Sequence, residues 1–326
     1  MTNSSNARSS SFFALILWGL LMLAVLAAGV GAIVAQLGPR FWPLELASHL
    51  HVGYLVVLVA AAALFSIGQR WRSALLAVVL AMPSALTLVP AVVAGHPPIS
   101  DELPRLNVAL INVHSSNRSY GRVIGLLREK QPDVVALLEI TDAWLDGLKP
   151  LHTQYPHRHT EPREDNFGIA LFSRRPVHGV RTQVFGQADL PSIVADLPVA
   201  GRMVHIVVTH PLPPVRPVSL ELRDQQLMQV ADYLGKRRRP YLLLGDLNAS
   251  PWTPVYADLL DAGSLYSTRT GHGLLPTWPS LGPLALTPID HVLTSEDFVA
   301  ARVRTGLNVG SDHQPLLVEL ALRANP

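Results

Sequence analysis

Asp246 and Asn248 close an apolar run in YLLLGDLNASP (241–251), and the same placement recurs along this chain of 326 residues. Asn112 ends LNVALIN, Glu139 ends the apolar part of DVVALLEI, and His210 ends MVHIVVTH. Asp290 and His291 lie in IDHVL, and Asp312 and His313 stand in GSDHQP just before the last apolar run. One polar residue at such a point is ordinary turn chemistry. Repeated placement at strand ends points instead to loops converging on a cleft. Carboxylates and amide oxygens, in a chain without cysteine, suit a hard cation such as Mg²⁺ or Mn²⁺. Such an ion neutralises phosphate charge and stabilises a leaving oxyanion. A histidine oriented by an aspartate can activate water or steady a phosphoryl group. Neither a G-x-x-x-x-G-K-[ST] loop nor a G-x-S-x-G elbow is present, so those two chemistries lose their usual motifs.

The elements that must position these residues follow from periodicity. Strands are expected at 106–112, 133–140, 167–173, 192–199, 203–210, 241–245, 286–295, 303–309 and 315–320, each a short, mainly apolar run. Helical spacing marks YGRVIGLLREK (120–130) and SLELRDQQLMQVADYLGKR (219–237), the latter with Leu220, Leu227, Val230 and Leu234 on one side. Short helices are expected at 141–149 and from about 253, where the pattern fits. Strands interleaved with helices, some directly consecutive, predict two sheets flanked by helices.

The amino-terminal part is different in kind. Residues 11–96 carry only Arg40, Glu45, Arg70 and Arg72 as charges. Segments 11–38, 50–68 and 73–95 each match the roughly 20 apolar residues that span a bilayer. Three transmembrane helices are therefore expected, with the chain meeting the bilayer through residues 11–95. Arg8, Arg70 and Arg72 mark the cytoplasmic side. Three crossings then carry the rest outside, making a multi-pass protein of the cell (inner) membrane with a periplasmic or extracytoplasmic domain. GHPPISDELP (95–104) reads as a polar, proline-rich linker. The expected division is an anchor over 1–96, a linker over 97–104 and a domain over 105–326. Setting aside the anchor's charges leaves 22 Lys+Arg against 23 Asp+Glu, a net of −1. Bulk nucleic-acid binding usually needs a strong basic excess. KRRR (236–239) sits where a helix ends and complements its dipole.

LNVALINV, VVALLEI, VVTHPLPP, LLLGDLNASP, IDHVLTS and GSDHQPLLVEL together resemble the successive motifs of the endonuclease/exonuclease/phosphatase superfamily, in order over 105–322. The membrane segments lie outside that resemblance and are similar to those of a membrane-anchored bacterial subgroup. The resemblance implies a four-layer α/β/β/α sandwich, with two mixed sheets between helices, and in-line hydrolysis of a phosphoester. It implies that Glu139 holds the metal with help from Asn112, and that Asp312 lies near the same ion. Asp246 would position or deprotonate the attacking water, and Asn248 would orient the scissile phosphate. His313 would meet the phosphate oxygens with Asp290 holding its ring, and His210 is the candidate general acid. The substrate stays open between nucleic acid and a phospholipid headgroup, and a catalytically silent binding module is a third reading. Asn166 reads equally as a phosphate contact or a turn residue, and Trp278 as a substrate grip or loop packing. His114 and Asn117 read as cleft-lining residues or as plain loop polarity. His291 should point to the opposite strand face from Asp290.

Overall fold

The computed structural model describes residues 3–38, 41–93, 95, 99–238, 240–280 and 286–324. Part of the expected linker (96–98) and residue 239 of the cationic run lie outside the described residues. The chain forms two compact units, 1–89 and 90–326.

The first unit is helical: α1 (Asn3–Gln36), α2 (Trp42–Ser48), α3 (His51–Ile67) and most of α4 (Trp71–Val93). Val25, Leu58, Phe65 and Ala77 are buried together, and Trp18 stacks on Phe65 with centroids 5.4 Å apart. Outward positions such as Leu15, Leu20 and Leu64 are apolar and exposed, so these helices are apolar all round, as helices in lipid are. Two helices are long and apolar enough to cross a membrane, and three are if α2 and α3, bent by 61°, count as one span. The expected second span differs in this respect. Helix α3 has 17 residues, about 26 Å at 1.5 Å per residue, against roughly 30 Å of hydrocarbon.

The second unit contains two six-stranded sheets. Its elements are β1 (Arg105–Asn112), α5 (Tyr120–Lys130), β2 (Val134–Leu138), α6 (Asp142–Gly147), β3 (His157–Glu161), β4 (Ile169–Ser173), β5 (His178–Val184), β6 (Pro191–Val199), β7 (Arg202–Thr209), α7 (Pro217–Gly235), β8 (Tyr241–Asp246), α8 (Pro254–Gly263), β9 (Tyr266–Ser267), β10 (Asp290–Thr294), β11 (Phe298–Thr305) and β12 (Leu316–Leu322). One sheet runs β11-β12-β1-β2-β4-β3 and the other β5-β6-β7-β8-β10-β9. Each is mixed: β1–β2 and β7–β8 are parallel and the remaining pairs antiparallel.

Period-two alternation builds the layers. In β1, Leu106, Val108 and Leu110 face the core between the sheets, while Ala109 and Ile111 join Val123, Leu127 and Trp144 of α5 and α6. In β8, Leu242 and Leu244 face the same inner core, and Tyr241 and Leu243 pack with Leu227, Val230 and Leu234 of α7. Strands buried on both faces read as continuous apolar runs, which is why the central strands were legible. The expected four-layer sandwich is the one observed.

Three strands escaped sequence reading: β3, β5 and β9. All three lie at or next to nothing but open edge, being terminal in their sheets. HRHTE and HGVRTQV carry mostly polar side chains there, so no apolar run marks them. The fourth edge strand, β11, spans 298–305 rather than the expected 303–309, because Leu307 and Val309 belong to the loop beyond it.

Candidate active site

The two parallel pairs define one edge of the sandwich. Asn112 ends β1 and Glu139 follows β2; His210 follows β7 and Asp246 ends β8. Parallel strands joined through helices bring their carboxyl ends to the same side. Antiparallel β10 starts at that edge, with Asp290 opposite Asp246. The loop between β11 and β12 returns Asp312 and His313 to it, since β12 begins beside the end of β1.

Asn112 ties the sheets together. Its Nδ2 donates to Glu139 Oε1 at 2.9 Å and to Asp246 Oδ2 at 3.2 Å. Its Oδ1 accepts from the His114 backbone N–H at 3.1 Å. In this arrangement Asn112 presents its amide nitrogen to both carboxylates. Glu139 adopts a left-handed backbone (φ 61°), and its Oε2 accepts from the Ser115 N–H at 3.0 Å. Strained backbone of this kind concentrates at functional sites. Just beyond it, a Cβ on Gly168 would lie 1.8 Å from the Ile140 carbonyl oxygen, so only glycine lets β4 approach the Glu139 loop.

Asp312 Oδ2 accepts from Trp278 Nε1 at 3.3 Å, and its Oδ1 is enclosed with no hydrogen-bond partner. His114 Nδ1 stands between the acids, 3.1 Å from Asp312 Oδ1 and 3.8 Å from Glu139 Oε2. The two carboxylates offer oxygen donors of the kind that suit a hard divalent cation. A second donor group exists beside it: ligand atoms of Asp246, Asp290 and His313 all lie within 4.8 Å of one another. In that trio His313 Nδ1 already bonds Asp290 Oδ2 at 2.8 Å, while Asp290 Oδ1 is buried with no hydrogen-bond partner among the described residues.

Asp246 lies between two imidazoles. Its Oδ2 is 3.5 Å from His210 Nε2 and 3.6 Å from His313 Nε2. Burial alone would raise its pKa, but the His313 charge, His210 and the Asn248 backbone N–H together hold it well below the usual carboxylate range. His313 shows the reciprocal effect. Burial opposes its charge, yet Asp290 and Asp246 push it up to about 10, so it is a cation at neutral pH. His210 Nδ1 is buried without a hydrogen-bond partner among the described residues, and the Phe167 ring packs 5.3 Å away.

Asn248 is also left-handed (φ 49°). Its backbone N–H donates to Asp246 Oδ1 at 3.0 Å and its Nδ2 to the Pro211 carbonyl at 3.0 Å. Arg223, fully buried on α7, donates to the Asn248 carbonyl at 3.0 Å. Sequence reasoning missed Arg223, although a signal existed: it falls in register with Leu220 and Leu227 on the buried side of α7. Asn166 is exposed and left-handed (φ 69°), with its Oδ1 accepting from Ser115 Oγ. Trp278 sits beside His313, ring centroids 6.5 Å apart. Asn117 turns inward as a loop clasp, donating to the Val113 and Val309 carbonyls. His291 points away from the site, donates from Nε2 to the Ala249 carbonyl at 2.8 Å and packs on Tyr256. Burial first, then Arg269, lowers its pKa to about 3.

The sequence profile of the Endonuclease/Exonuclease/phosphatase family matches residues 109–313. No curated protein matches the chain by sequence. Among solved structures, an endonuclease/exonuclease/phosphatase from Beutenbergia cavernae shares 21% identity at a TM-score of 0.55, covering 68% of this chain and 73% of that one. The human Nocturnin catalytic domain with bound sulfate shares 20% at 0.57, covering 68% and 96%. The D. rerio TDP2 complex with a single-strand DNA product shares 15% at 0.55, covering 66% and 98%. At these identities the likeness is one of fold.

Proposed function

This chain belongs to the endonuclease/exonuclease/phosphatase family, whose members hydrolyse phosphoester bonds, and we propose that it is a membrane-anchored, divalent-metal-dependent phosphoesterase. The observation that carries the reading is the convergence of Asp246 with His210 and His313, within 3.6 Å, beside Glu139 and Asp312. Glu139 and Asp312 would hold the ion, Mg²⁺ or Mn²⁺, which supplies charge neutralisation at the phosphate when bound.

The chain's own groups account for the remaining steps. The Asp246 carboxylate aligns a water for in-line attack on phosphorus. The same carboxylate accepts the water's proton as the new P–O bond forms. The His313 cation, clamped by Asp290, faces the non-bridging oxygens. Asn248, fixed through its backbone by Arg223 and Asp246, orients the same phosphate. His210 protonates the leaving oxygen as the second P–O bond breaks. Asn166 and Trp278 line the approach as substrate contacts.

The test is hydrolysis by the full chain in detergent, with plasmid DNA and a phospholipid panel side by side. Cleavage is expected with Mg²⁺, none with chelator, and at least about a hundredfold less in a His313→Ala variant. Chelator-resistant cleavage would sink the metal role. The D. rerio TDP2 complex holds a single-strand DNA product, which supports a nuclease reading. The near-neutral domain charge and the apolar helices favour a lipid phosphoester. A catalytically silent module is disfavoured because every acid and both histidines are assembled. For topology, a reporter fused after the last residue should be active outside the cytoplasm; activity inside would reverse the orientation.

A further inference from the structure

Six large apolar side chains are exposed among the described residues of 105–324: Val184, Val215, Val218, Tyr266, Trp278 and Leu307. Their distribution over the sandwich is uneven. Val184 ends β5 opposite Pro191, beside the β6–β7 pair Ser192–Thr209 that borders His210. Val215 lies in the loop that follows His210, and Val218 in the first turn of α7, where that loop ends. Leu307 is two residues beyond Thr305, which pairs with Leu316 at the start of β12, in the loop leading to Asp312. Trp278 donates to Asp312 itself. Only Tyr266 lies at the far edge, paired with Thr294 at the opposite end of β10 from Asp290. Five of the six therefore ring the edge that carries the candidate active site.

From this ring we infer that the active-site edge rests on a lipid bilayer, and that the substrate is a phosphoester in the headgroup of a lipid held there. The inference deepens the phosphoesterase reading and rests on it. Leu307 is 85% exposed, Val218 64% and Val215 59%. Aliphatic side chains protruding at two places, Val215 and Val218 where a loop meets α7 and Leu307 in the loop after β11, suit a fluid surface, whereas protein interfaces gather anchors into a packed patch. Arg216, between Val215 and Val218, is exposed and placed for lipid phosphate while its neighbours insert. Trp278 has the amphipathic character of residues that settle at headgroup depth. The domain's net charge of −1 argues against a nucleic-acid backbone as the occupant. The same chain supplies helices long and apolar enough to cross a membrane, so a bilayer is a surface to which it would be tethered.

The absence of cysteine makes the test direct. Leu307→Cys and Tyr266→Cys, each in the full chain, are labelled with an environment-sensitive fluorophore and reconstituted in phosphatidylcholine–phosphatidylglycerol vesicles containing nitroxide lipids. The Leu307 probe should shift to the blue and be quenched, with the Tyr266 probe unchanged. Equal behaviour of the two probes, wet or buried, overturns the proposal. A Val218→Asp/Leu307→Asp variant should lose about tenfold or more of its hydrolysis of vesicle phospholipid, and keep its rate on soluble bis(p-nitrophenyl) phosphate. Equal loss on both substrates, or none on lipid, also overturns it. If the unaltered chain hydrolyses neither substrate, the phosphoesterase reading fails instead, and the probe result still reports on the surface.

Discussion

An Asp246→Asn variant is expected to lose roughly a thousandfold in kcat for phosphoester hydrolysis, the range seen when a positioned acid–base group is removed. Asparagine keeps the shape of the side chain, and its one oxygen can still accept from the Asn248 N–H, while its amide nitrogen then faces the Asn112 donor. What it removes is the negative charge 3.5 Å from His210 and 3.6 Å from His313. Without that charge the attacking water loses its acceptor. His313 keeps its Asp290 partner at 2.8 Å, so it should remain a cation and substrate KM should change little. A merely structural Asp246 would give the opposite split, with a lowered melting temperature and near-normal kcat. The same variant separates the two candidate donor groups. If Glu139 and Asp312 hold the ion, Mg²⁺ affinity measured by titration should stay within a few-fold. A large fall in affinity would assign the ion to Asp246, Asp290 and His313 instead.

The second large effect is on folding. Gly245→Ala should destabilise the second unit by more than about 4 kcal/mol, or prevent it from folding, as backbone collisions at strained positions do. A Cβ on Gly245 would lie 2.1 Å from the Thr209 carbonyl oxygen. That atom is backbone, in the strand paired with β8, so no side chain can swing aside. Relief would need β7 and β8 to part, and these two strands deliver His210 and Asp246. Gly125→Ala gives the contrast. It lies within α5, a Cβ there meets nothing within 4 Å, and the change should stabilise by up to about 1 kcal/mol. Melting of both variants in one detergent checks the pair. A folded, active Gly245→Ala protein would show that the strands can separate without cost.

Much of the site was legible because buried central strands announce themselves. YLLLGD and MVHIVVT are apolar on both faces, so the residue that breaks each run marks the strand's end. The order Asn112, Glu139, His210, Asp246, Asn248, Asp290, Asp312, His313 could be read from such breaks. The edge strands could not: HRHTE and HGVRTQV have one partner, open faces and no apolar run. His114 was open between cleft and loop until its left-handed backbone (φ 59°) placed the ring between Glu139 and Asp312. Arg223 was hidden because a charge on a helix reads as solvated unless its partner, here a carbonyl 25 residues later, is known.

The sequence alone determined which segments are apolar enough for a membrane, which strands form the core and which polar residues stand at their ends, since these depend on local composition and period. Tertiary structure decided what those residues do to one another. Asn112 and Asp246 are 134 residues apart, and only the stacking of two sheets brings them within a hydrogen bond. The ring of exposed apolar side chains around the site arose in the same way, because solvent exposure is a property of the packed edge and of no single stretch of chain.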